Sequence, residues 1–193
     1  MPYPAAVFVA TARDARRFVV GIGSSTGEPI PTYSPDGTFM IYAARVSGNE
    51  KLFKIDLATK KKTQITFGTH DDSAAQFVDQ DTLIFSSTAT NPSQPIDPDV
   101  ARNGQIYNIW TLDLKTNELK QYTDALSGNV SPVVLKDSPV NRLAFVTYFK
   151  GEYGLHVLER KEEITKVASS DFGSGCGSPV TFISPTTAFS LPV

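Results

Sequence analysis

The chain is poor in the residues from which catalytic and metal centres are usually built: 193 residues include one cysteine, two histidines, two methionines and one tryptophan. A lone cysteine, Cys176, excludes an internal disulfide and any cysteine-rich zinc site. Charge of one sign is also missing. Eighteen Lys and Arg against twenty Asp and Glu leave a net charge of −2, too balanced for a protein that seeks nucleic acid or an anionic membrane surface. Long apolar runs are absent as well. The longest uncharged stretch, residues 172–193, carries three glycines and three prolines, so no membrane-spanning helix is expected from it. The amino terminus has a short apolar run at residues 5–10 cut off by Arg13, Asp14, Arg16 and Arg17, which is not the pattern of a secretory leader. What remains, 40% hydrophobic and 20% charged residues, is the composition of a packed globule of about one domain.

Internal repetition organises this globule. Leu52-Phe53-Lys54-Ile55-Asp56-Leu57-Ala58-Thr59, closing with Gln64-Ile65-Thr66, matches Ile109-Trp110-Thr111-Leu112-Asp113-Leu114-Lys115-Thr116, closing with Gln121-Tyr122-Thr123. Apolar residues recur at every second position, the period of a β-strand. A preceding strand repeats three times: Met40-Ile41-Tyr42-Ala43, Leu83-Ile84-Phe85-Ser86 and Leu143-Ala144-Phe145-Val146. Short openings precede each copy, Pro31-Thr32-Tyr33, Ala75-Gln76-Phe77 and Pro132-Val133-Val134. In the third copy Leu155-His156-Val157-Leu158 takes the place of Leu52 to Ile55, which sets His156 where Phe53 and Trp110 stand and makes it an inter-blade packing residue rather than a ligand. A unit of four short antiparallel strands follows. Ser34-Pro35-Asp36-Gly37 supplies a tight reversal, because Pro presets φ, Asp bonds back to the backbone and Gly accepts positive φ. The unit is about 43 residues long, with an insertion at 88–104 in the second copy, and that length with four strands is typical of a propeller blade. The chain is therefore all-β.

Tyr33-Ser34-Pro35-Asp36-Gly37, an apolar strand, residues 52–57 and Gln64-Ile65-Thr66 resemble the blade signature of the WD40-like (PD40) repeats of TolB-type propellers and of the propeller domains of tricorn and prolyl-oligopeptidase-type peptidases. The resemblance covers residues 30–167. It implies blades at 30–67, at 73–123 with the insertion, and at 129–167. Residues 1–29 then end a preceding blade and 178–193 begin a further one. The economical reading is a partial propeller belonging to a longer one, with a closed four-bladed ring as its rival. The resemblance also implies a periplasmic or other extracytoplasmic location.

Other motifs read blandly. Residues 21–27 are glycine-rich without a following helix or Lys-Ser/Thr ending, so they make an inter-blade loop. Gly173-Ser174-Gly175-Cys176-Gly177 puts Gly where a nucleophile elbow needs its nucleophile. No catalytic residue and no cofactor is expected. Lys60-Lys61-Lys62 reads as a solvated turn on the opposite face from the insertion, one that discourages edge pairing. On the insertion's own face, His70, Asp71 and Asp72 enter the second copy, and the insertion brings Asp97, Asp99, Arg102 and Asn103. The spacing of Asp97, Asp99 and Asn103 misses a calcium-loop pattern, so no metal is expected, and the segment reads as a partner-contacting loop. Asp124 and Asn129 lie on the loop leading into the third copy. These nine residues form the candidate binding set for a protein or peptide partner. The alternative for His70 to Asp72 is a solvated loop; the alternative for the chain is part of a serine peptidase's propeller whose hydrolase domain lies elsewhere.

Overall fold

A computed structural model describes residues 31–92, 106–125, 127–135, 142–159 and 163–172, and the backbone of strands at residues 5–11 and 14–22. Strand β1 (Ala5–Thr11) pairs antiparallel with β2 (Asp14–Ile22). Residues 178–193, expected to begin a further blade, lie outside the described residues, as do Asp97, Asp99, Arg102, Asn103 and Cys176.

The first repeat is a four-stranded meander: β3 (Thr32–Tyr33), β4 (Phe39–Val46), β5 (Asn49–Asp56) and β6 (Lys62–Gln64). Its reversal forms as the sequence indicates. The Gly37 amide donates to the Ser34 carbonyl at 2.9 Å, with Gly37 at φ 71°, and the Ser34 hydroxyl donates to Asp36 at 2.7 Å. The second repeat runs β7 (Asp72–Phe77), β8 (Thr82–Ser87), β9 (Asn108–Asp113) and β10 (Glu118–Gln121). The third has β11 (Asn129–Leu135), β12 (Arg142–Phe149) and β13 (Glu152–Glu159).

Register makes the repeats equivalent. Tyr42 pairs with Phe53, Phe85 with Trp110, and Phe145 with His156. The third strand of each of the first two units ends in the same turn, where the Asp56 carboxylate accepts the amides of Ala58 and Thr59, and Asp113 those of Lys115 and Thr116. Lys60 and Asn117 follow at positive φ, 63° and 58°. Both β7 and β11 bulge at the same place, with Ala74 and Ser131 at φ 52° and 54°, a repeated irregularity that marks a built feature.

The sheets stack face to face, so the second sheet buries both of its faces. Phe39, Ile41, Ala43 and Leu52 of the first sheet share a core with Phe77, Leu83, Phe85, Trp110 and Leu112 of the second, and the Phe39 and Phe77 rings meet edge-on at 5.6 Å. On the other face of the second sheet, Ile84, Ile109 and Tyr122 pack with Leu143 and Phe145 of the third. The first sheet's remaining face carries Met40, Tyr42, Phe53 and Ile55, all buried, and burial pushes the Tyr42 phenol up to about 12.

The third repeat departs from the expected four-strand unit. Strand β14 (Thr165–Ala168) leaves its own sheet and pairs with β10, giving sheets of four, five and three strands among the described residues. Side chains account for this choice. Val167 lies opposite Leu119 in the core between sheets one and two, while Lys166 meets Glu118 and Lys120 meets Glu163, each at 2.7 Å. The short 3-10 turn after it, Ser169–Phe172, sets Phe172 edge-on to both His70 and Trp110. His156 stacks on Phe145 at 5.9 Å yet stays exposed, so in place of the expected inter-blade packing its ring contact is within its own sheet. On the outer face of this sheet Val133, Tyr148, Tyr153, Leu155 and Val157 are exposed together.

Candidate functional site

The loops that join the second and third strands of a sheet, and those that connect one sheet to the next, converge on one face. The Asp71 carboxylate accepts the Glu50 amide at 2.7 Å, and the Asn49 amide group donates to the Thr69 carbonyl at 2.8 Å. Asp71 is tied in turn to the start of the insertion: its amide donates to the Thr88 hydroxyl and its carbonyl accepts the Thr88 amide, both at 2.9 Å. Three loops are thus fastened to one another. Burial, with the Asp71 charge adding to it, pushes the Glu50 carboxyl and the Tyr107 phenol above their ordinary values.

Beneath these loops lies a buried ion pair. Lys51 Nζ donates to Asp72 Oδ2 at 2.9 Å with both side chains 1% exposed, and His70 Nε2 stands 3.4 Å from the same oxygen. Burial alone would raise the Asp72 carboxyl, but His70, Lys51 and the Ser87 hydroxyl outweigh it and hold the group below the usual carboxylate range. Burial lowers the Lys51 ammonium against the opposing pull of Asp72. Asp72 Oδ1 and Trp110 Nε1 are buried without a protein hydrogen bond, and the two residues line, with Thr66, Phe85 and Phe172, a cavity of about 10 Å³, the room of roughly one water molecule.

The next sheet boundary repeats the device with different chemistry. Lys51 corresponds to Asn108 and Asp72 to Asn129, and there the Asn129 amide donates to Asn108 Oδ1 at 3.2 Å. Asn108 Oδ1 also accepts the Thr123 hydroxyl at 2.9 Å and the Ala125 amide at 3.0 Å, while Asn129 Oδ1 accepts the Thr147 hydroxyl at 2.8 Å. The repeated Gln-x-Thr works the same way in both copies. The Thr66 and Thr123 hydroxyls accept the amides of Leu52 and Ile109, and the Gln64 and Gln121 side chains donate to the carbonyls of Thr66 and Thr123.

Of the candidate binding residues, then, His70, Asp71 and Asp72 come together at the first boundary, with Asp72 fully inside and Asp71 and His70 half-buried. Asn129 is inside the second boundary, and Asp124 stands exposed beside it. Lys51 was not among the residues expected to matter; its signal was the shared spacing of 21 residues from Lys51 to Asp72 and from Asn108 to Asn129. Among the described residues no group of three His, Cys, Asp or Glu is arranged to hold a metal, and no helix is long and apolar enough to cross a membrane.

Among solved structures similar to this stack is TolB from Acinetobacter baumannii, with a TM-score of 0.59 at 22% identity over 83% of this chain. The chain has the fold of a TolB-like β-propeller. A TolB-type protein from Agrobacterium tumefaciens aligns at a TM-score of 0.57 and 14% identity over 84% of the chain. The chain spans 37% of the first and 57% of the second. No family model and no curated protein matches in sequence. Within the propeller, the brackets at Lys51–Asp72 and Asn108–Asn129 fasten one blade to the next.

Proposed function

We propose that this propeller segment is a non-catalytic binding module whose loop-bearing face docks a protein or peptide. The observation that carries the reading is the mutual fastening of the loops at Asn49–Glu50, Thr69–Asp71 and Thr88. Loops held on a rigid scaffold are where recognition residues concentrate, and a site held in advance binds without the cost of ordering itself. In this reading Asp124 and the half-buried Asp71 and His70 offer polar contacts, and Asp97, Asp99, Arg102 and Asn103 of the insertion extend them. Asp72 and Asn129 act beneath, by positioning.

The test is site-directed photo-crosslinking. A photoreactive residue at exposed Asp124 is expected to capture a partner, and the same residue at exposed Ala58, on the turn after β5, is expected not to. Deleting 88–104 should abolish capture while the circular dichroism spectrum stays that of a β-protein. Equal capture from both positions, or capture that survives the deletion, would remove this face from the interface.

A further inference from the structure

Away from the loop-bearing face, the outer strands of the first two sheets diverge into a groove of about 1090 Å³. One wall is the first sheet, with Lys54, Lys61, Thr63, Ile65 and Phe67; the other is formed by Leu114 and by the end of β14 with its following turn. Phe67 is 40% exposed there. Strand β6 forms the lip of this groove and is the edge of its sheet among the described residues.

The second sheet shows what such an edge accepts. Strand β10 occupies the place in its sheet that β6 occupies in the first, and β10 carries β14 as an added antiparallel strand. The Ile65 amide donates inward to the Leu52 carbonyl, as the Tyr122 amide does to the Ile109 carbonyl. Because alternate residues of a strand turn their main-chain groups to opposite sides, Gln64 then faces outward from β6 just as Gln121 faces β14. On β10 the added strand is matched by charge at two positions, Glu118 with Lys166 and Lys120 with Glu163, each at 2.7 Å. Lys61 stands at the position equivalent to Glu118 and Thr63 at that of Lys120, so at these two positions β6 presents positive charge alone. Asp56, the acid on the same wall, is committed to the Ala58 and Thr59 amides.

We propose that β6 receives an extended acidic peptide segment as an added strand, with Lys61 pairing its carboxylates and Ile65 and Phe67 contacting its apolar side chains. Strand addition draws affinity from main-chain hydrogen bonds and specificity from alternate side chains. The lysines that deter indiscriminate edge pairing here admit one class of strand and repel the other. This surface is separate from the loop-bearing face.

Three short fluorescent peptides of alternating Val and Thr test it on the full chain: one with glutamates on one side, one with lysines at the same positions, and the glutamate peptide N-methylated at alternate amides. Anisotropy should show saturable binding of the first and at least about tenfold weaker binding of the other two. Lys61→Glu should reverse the order of the first two, and amide exchange at Gln64 should slow when the glutamate peptide binds. No saturation by the glutamate peptide below about 1 mM, equal binding of the N-methylated peptide, or indifference to Lys61→Glu would overturn the proposal. So would Gln64 protection without peptide: concentration-dependent protection would assign the edge to a second copy, and concentration-independent protection to a segment of this chain.

Discussion

Replacing Asp72 with Asn should damage the protein far more than the change of one atom suggests. Lys51 is 1% exposed and donates to Asp72 at 2.9 Å, so Asp72→Asn leaves a buried ammonium without its counter-charge. Removing one partner of a buried pair costs about 3–5 kcal/mol. For a chain of this size each kcal/mol lowers the melting temperature by roughly 2–4 °C, so a fall of about 6–20 °C is expected. The second blade boundary supplies the control. Asn108 and Asn129 occupy the equivalent positions as an amide pair at 3.2 Å, so Lys51→Asn combined with Asp72→Asn copies a bracket this fold already uses. The double variant should recover most of the loss, giving a coupling of roughly 2 kcal/mol or more between the two sites. Urea denaturation of the wild type, both single variants and the double variant measures it. An Asp72→Asn protein within about 1 kcal/mol of wild type, or a double variant no more stable than the worse single, would refute the bracket.

The same pair sets a pH dependence. The Asp72 carboxyl is lower in the folded protein than its ordinary value, so between the two values the unfolded chain binds more protons and stability rises with pH. Stability from this group should be complete above the ordinary carboxylate range, near pH 4, and lost as pH falls through the folded value; acid titration of the urea midpoint should show this slope reduced in the double variant. Thr66→Val and Thr123→Val each orphan a buried amide, of Leu52 and Ile109, and should each cost about 1–3 kcal/mol in the same assay. Trp110 is fully buried between sheets, so Trp110→Ala should cost at least about 3–5 kcal/mol, whereas His156→Ala, at an exposed equivalent position, should cost under about 1 kcal/mol. The exposed face of Leu155 and Val157 matches the face that sheets one and two cover. Sedimentation should therefore show self-association that Leu155→Lys with Val157→Lys abolishes; an unchanged oligomer would locate the contact elsewhere.

Strand identity and cross-strand equivalence were legible because apolar alternation and burial have one cause. Tyr42 and Phe53, Phe85 and Trp110, Phe145 and His156 pair as the aligned repeats indicate. The destination of Thr165–Ala168 was not legible. Main-chain pairing carries no sequence label, and the choice of β10 over β13 rests on Val167 meeting Leu119 and on ion pairs formed only once the sheets are stacked. The site divided along the same line. Proximity of His70, Asp71, Asp72, Asp124 and Asn129 to the loop-bearing face followed from counting strands, but burial of Asp72 and Asn129 did not, because a polar residue in a connecting segment reads as solvated until its partner is known. Lys51 was hidden for the converse reason: a lysine in an alternating strand reads as surface, and only its correspondence with Asn108 places it inside.

Nuclear Overhauser contacts between ring and methyl protons test the central claim, that successive sheets stack with a fixed face toward each neighbour. Phe77 should contact Phe39, and Ile84 and Ile109 should contact Leu143 and Phe145, with no contact from Trp110 to Leu143. Cross-peaks joining Trp110 to Leu143, or Ile84 to Phe39, would contradict the stack.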